Sequence, residues 1–205
     1  MSILKRFSIP SRLPKDSDSQ LWQLQLLLDE YAQQIFGPRN PDKQLYQPTF
    51  SSNPAEQPCV INTISGDGGF AQLSVNASTY WPTTVYELAH ETVHLLDPRP
   101  APPVGKGSNW LEEGVAVEFS LHCAGIIFGK VPTVNSPKYV TAKNITLKLG
   151  RQDLFEKCKK IREECGHFAD ATYDAIKMHA PSCDETALRK LTTRFDTTSL
   201  INEQQ

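Results

Sequence analysis

His90-Glu91-Thr92-Val93-His94, followed by Trp110-Leu111-Glu112-Glu113-Gly114-Val115-Ala116, holds the residues of this chain best suited to chemistry. Residues four apart on a helix share a face, so the imidazoles of His90 and His94 can converge on one cation at the ~2.0–2.1 Å of a zinc–nitrogen bond. Glu91 lies one residue round, within reach of a water on that cation without being a ligand. A metal that acidifies water beside a carboxylate base is the apparatus of hydrolysis. The competing reading is an ordinary amphipathic helix with two satisfied histidines. The second segment weighs against it, because a catalytic zinc site wants three protein ligands and an open position, and Glu112 and Glu113 offer the missing donor.

The elements that must carry these residues are legible around them. Val85, Leu88, Ala89, Val93 and Leu96 recur at helical spacing, with Pro82 suited to a first turn and Pro98 to a stop. A second helix is expected after Ser108 or Asn109 as cap, with Leu111, Val115, Val117 and Phe119 among its apolar positions. Residues 97–107, with four prolines, read as a surface connector that returns the second helix to the first. Asp97 has two readings, a carboxylate bonded to the second N–H of a ligand imidazole or a helix stop of the Asp-Pro kind. Glu118 and His122 read as a solvated i,i+4 pair, against a second metal site on the far side of the helix.

Glu113 follows His94 after eighteen intervening residues. In this the chain resembles the gluzincin metallopeptidases, in particular the aminopeptidase N-like branch. The pattern there is His-Glu-x-x-His, eighteen residues, then Glu within a Trp-Leu-Asn-Glu-Gly-Phe-Ala-like stretch. The match is Trp110 to Ala116, with Glu112 where that branch has Asn and Val115 where it often has Phe. The resemblance covers about residues 60–120. It implies an α+β fold, a mostly helical zincin-like metallopeptidase domain with a small N-terminal β-sheet or hairpin. It also implies one zinc ion per chain on His90, His94 and Glu113, Glu91 as general base, and a peptide or protein substrate. Neighbouring helical residues point about 100° apart, so only one of the two glutamates can face the ion. Glu112, three residues after Asn109, has capping-box spacing and is expected to bond back to the helix start. An oxyanion partner, a Tyr or His from the C-terminal part, is implied as well. Tyr173 lies sixty residues after Glu113, with His167 and Tyr139 also open, against the plain alternative of a core aromatic on a helix. Gly68-Gly69-Phe70-Ala71-Gln72 is only a distant echo of the branch's Gly-x-Met-x-Asn signature, so exopeptidase activity is not expected.

Residues 58–65 and 70–76 are rich in strand formers and flank a glycine-rich turn, which reads as a hairpin. By resemblance, the strand at 70–76 is the free edge that pairs with the substrate backbone; the alternative is a purely structural hairpin. Residues 18–36 read as a helix stopped by Gly37-Pro38, and 39–57 as a loop. Short helices are expected at 138–149, 153–165, 167–179 and 183–193. The 205 residues, 39% hydrophobic with net charge −2, fit one domain with parts 1–81, 82–124 and 130–205. Lys157, Lys159, Lys160 and Arg162 are interleaved with Glu156, Glu163 and Glu164, a solvated helix face and no nucleic-acid patch. Without a membrane-length span or a signal-like start, and with five cysteines lacking zinc-site spacing, a cytoplasmic location is expected, export by a signal-less route being the alternative. Two further function classes stand beside the peptidase: a non-catalytic or regulatory zincin-fold binding protein, and a specialised effector protease acting on one protein.

Overall fold

Leu21, Leu24, Leu28, Ala32 and Phe36 recur every three or four residues and are all fully buried, forming the inner stripe of α1 (Asp18–Phe36). Gly37, at φ 92°, stops the helix in a conformation that a side chain would resist, and Pro38 cannot continue it. The computed structural model describes residues 2–100 and 107–195, so most of the proline-rich connector expected at 97–107 lies outside the described residues. The architecture is α+β, as expected, with four short strands and predominantly helical backbone. The chain divides into two compact units. One comprises the chain up to Pro98 with Glu118–Thr133; the other comprises Arg99–Val117 and the chain from Val134 onward.

The sheet belongs to the first unit. Strands β1 (Gln44–Leu45), β2 (Thr49–Phe50), β3 (Cys59–Asn62) and β4 (Gly68–Leu73) form it, and β3 and β4 are the expected antiparallel hairpin. Two expectations are corrected here. Residues 39–57 are not all loop: they supply β1 and β2, which pair in parallel with Gly68–Gly69 and Gln72–Leu73. Consequently β4 is the central strand and not a free edge, because β3 occupies one side of it and β1 and β2 the other. The outer strand of the hairpin is β3. Gly68 admits this pairing because a Cβ there would lie 2.0 Å from the Gln44 carbonyl oxygen.

The hairpin turn is held by Asp67, whose carboxylate accepts from Thr63 Oγ1 and Ser65 Oγ, both at 2.6 Å, and from Tyr46 OH at 2.8 Å. These donors favour the charged form and bring its pKa down to about 2, from Ser65 first, then Thr63 and Tyr46. A depressed carboxylate pKa stabilises the fold above the unfolded value and loses that contribution as pH falls through the folded one. The turn is therefore expected to loosen between about pH 4 and pH 2. A carboxyl NMR titration checks this; an Asp67 midpoint near the ordinary aspartate value would contradict it.

Helix α2 (Trp81–His94) starts with proline in its first turn, as expected. It packs on α1 through apolar residues and one buried polar tie, Gln25 Nε2 donating to Thr92 Oγ1 at 3.0 Å. Helix α3 (Trp110–Phe128) runs through both units. Leu111, Val115, Ala116, Val117, Phe119, Cys123 and Ala124 bury it on nearly every side. In the first unit its Phe119 ring meets Phe36 at 5.5 Å. His122, exposed on α3, has its Nε2 2.9 Å from Tyr31 OH and its ring stacked on that tyrosine.

The second unit is helical: α4 (Pro137–Thr146), α5 (Leu154–Cys165), α6 (Tyr173–His179) and α7 (Glu185–Leu191). The helix expected at 167–179 is broken. A 3-10 turn at Phe168–Asp170 comes first, and Thr172 then caps α6 by accepting from Ala175 N, as threonine does at helix starts. On α5, Lys157, Lys159 and Lys160 pair with Asp153, Glu163 and Glu156, in keeping with a solvated face, whereas Arg162 is buried. All five cysteines are free thiols. Among the described residues no helix is long and apolar enough to cross a membrane.

Candidate metal centre

His90 and His94 lie one turn apart on α2, their ring centroids separated by 5.2 Å. One ligand atom each of His90, His94 and Glu113 lie within 4.8 Å of one another. Donors on one tetrahedral zinc ion with bonds of ~2.0–2.2 Å stand roughly 3.3–3.6 Å apart, a spacing of the same order. Two imidazoles and a carboxylate form a donor set that suits zinc better than magnesium or calcium. Glu112 is not in this cluster. His90, Glu91 and Glu113 are buried and His94 is half-buried.

The sequence places these residues through local rules. Three residues before His90 on α2, Glu87 is buried, and its carboxylate accepts from Ser74 N at 2.8 Å and Ser74 Oγ at 2.6 Å. Burial pushes its carboxyl up, while Ser74 and the neighbouring His90 act in the opposite direction. Glu87 thus ties the metal helix to the end of β4. It was not singled out by sequence, although a glutamate within an otherwise apolar helical stretch is a usable signal. Asp97 accepts from Asn40 Nδ2 at 2.8 Å just beyond the end of α2.

At the start of α3, Asn109 is the cap, with its Oδ1 accepting from Glu112 N at 2.8 Å. The Glu112 carboxylate lies 3.7 Å from His167 Nε2, a partner that the spacing did not suggest. The next residues explain why Gly114 stands where it does. A Cβ there would be 2.0 Å from Thr146 Oγ1 and 2.6 Å from the Ala142 carbonyl, so α3 and α4 approach backbone to side chain. In a free helix Gly→Ala stabilises by about 1 kcal/mol. Here overpacking should outweigh that and Gly114→Ala is expected to destabilise by about 1–3 kcal/mol, read by urea unfolding. A neutral or stabilising result would contradict the close approach.

The three residues weighed as oxyanion partner have different surroundings. Tyr139 packs against the cluster of Trp110, Ala142 and Phe195, its ring 5.4 Å from that of Phe195. Tyr173 begins α6, half-buried, with the Arg189 guanidinium 5.3 Å from its ring centre. His167 is buried beside Glu112.

Cys59, at the start of β3, is a residue that sequence reasoning passed over. Burial, then the Glu91 and Glu56 carboxylates, push its thiol up to about 11, so it is a neutral thiol at physiological pH. The outer strand β3 lies against α2, the helix that carries Glu91. Comparison with protein families, with curated proteins and with solved structures yields no match, so the resemblance to gluzincins rests on the two motif segments alone.

Proposed function

We propose that the protein is a zinc-dependent peptidase of zincin type, hydrolysing a peptide or protein substrate. The observation that carries this is the convergence of His90, His94 and Glu113 donor atoms from two separate segments, with Glu91 next to the first ligand. His90, His94 and Glu113 hold the ion. When bound, zinc acidifies a water and polarises the scissile carbonyl. Glu91 accepts the proton of the attacking water on a carboxylate oxygen and passes it to the leaving amine. The backbone of β3, the outer strand of the hairpin, which lies against the helix carrying Glu91, is the edge that pairs with the substrate in an extended conformation. Tyr173 is the residue to test as oxyanion donor.

A non-catalytic metal-binding protein is the second reading, and a cleft of about 510 Å3 in the first unit, lined by Tyr80, Tyr86, Phe128 and Lys130 among others, is a place where such a protein could take a ligand. Elemental analysis of protein purified without added metal, together with cleavage of a peptide library, tests both readings. About one zinc per chain and specific cleavage are expected. Protein that neither carries zinc nor binds it at micromolar concentration would end the metallohydrolase reading, and zinc without cleavage would favour the second.

A further inference from the structure

Glu112 and Glu113 are adjacent carboxylates on the first turn of α3, and both are buried. A rotation of about 100° about the helix axis would exchange them, so something must fix which one joins His90 and His94. The first turn of α3 is held on one side by the segment from His167 to Ala169. Asn109 Nδ2 donates to the Phe168 carbonyl at 2.8 Å, and Glu112 Oε1 lies 3.7 Å from His167 Nε2. His167 is itself constrained: its Nδ1 accepts from Ala169 N at 2.8 Å, which leaves the ring proton on Nε2, the atom nearest Glu112. Asn109, Glu112 and His167 are 3–6% exposed, so although 3.7 Å is beyond hydrogen-bond length, the Nε2–H dipole attracts the carboxylate across a space from which water is excluded.

We propose that His167 is a positioning residue for the third metal ligand: by holding Glu112, it fixes the rotation of α3's first turn so that Glu113 reaches His90 and His94. The inference rests on the proposed metal site. It assigns Glu112 a structural task performed through its side chain, in addition to the backbone cap supplied by Asn109.

Two substitutions of His167 separate positioning from folding. Asparagine can place an acceptor where Nδ1 is and keep the bond from Ala169 N, but does not reach Glu112. Glutamine reaches Glu112 with an amide N–H and gives up the Ala169 bond. Zinc affinity of the full chain is measured by competition with a chromophoric chelator, alongside thermal melting of the metal-free protein. His167→Asn is expected to weaken zinc binding by about 10–100-fold, the range for residues that orient metal ligands, while His167→Gln stays within about threefold of wild type. Glu112→Met, which keeps length but removes the acceptor, should weaken binding as His167→Asn does, and the double variant should bind no worse than either single one. If His167→Asn fails to fold, Glu112→Met decides. Unchanged zinc affinity in Glu112→Met, or equal weakening in His167→Asn and His167→Gln, overturns the inference while the metal site stands. A wild type that binds no zinc overturns the metal site itself.

Discussion

Glu91→Gln is expected to keep zinc and the fold while lowering turnover of a cleaved peptide by about 10²–10⁴-fold, the contribution of a general base. The carboxamide has nearly the shape of the carboxylate but cannot accept the water proton. Glu91 is also turned about 100° around α2 from His90, so it is next to the donor set without belonging to it. Helix α2 is anchored through Glu87 to Ser74 and through Thr92 to Gln25, and both ties remain in the variant. Initial rates and zinc content measured on the same preparation check this. Equal rates for variant and wild type would mean that the hydrolysis arises elsewhere.

Alanine at His90, His94 or Glu113 is expected to abolish stoichiometric zinc and with it all zinc-dependent cleavage, because three protein ligands are the minimum of a catalytic site with one open position. Glu112→Ala behaves differently. It keeps equimolar zinc at saturating concentration, binds it more weakly, and loses about 1–3 kcal/mol of stability because the buried His167 is deprived of its carboxylate. Zinc titration and urea unfolding of the four variants separate the two glutamates. Loss of zinc in Glu112→Ala with retention in Glu113→Ala would reverse the assignment of the third ligand.

Much of the candidate site is local in sequence and was therefore readable. The i,i+4 pair His90 and His94 needs only that residues 81–94 be helical, which the apolar spacing and Pro82 indicate. A cap at Ser108 or Asn109 follows from residue type and the apolar run after it, and the structure selects Asn109. Errors fell where local signals are short or ambiguous. The helix expected across 167–179 is interrupted because His167 and Thr172 each bond a following backbone N–H, which ends one turn and starts the next. The two-residue strands β1 and β2 carry too few positions for any alternation to appear.

The sequence by itself determined the helices α1, α2 and α3, the stop of α1 at Gly37-Pro38, and the face on which the two histidines lie, because helical periodicity and stop signals act over four residues or fewer. Tertiary structure alone decided that β4 is the centre of the sheet, that β3 lies against the helix carrying Glu91, and that Glu112 meets His167. Each of these joins segments distant in the chain: Asn109 and Phe168, for instance, bond across a separation of 59 residues. Which buried polar group satisfies which is fixed by packing, where water is excluded and every donor must find an acceptor, and a linear pattern contains no record of that choice.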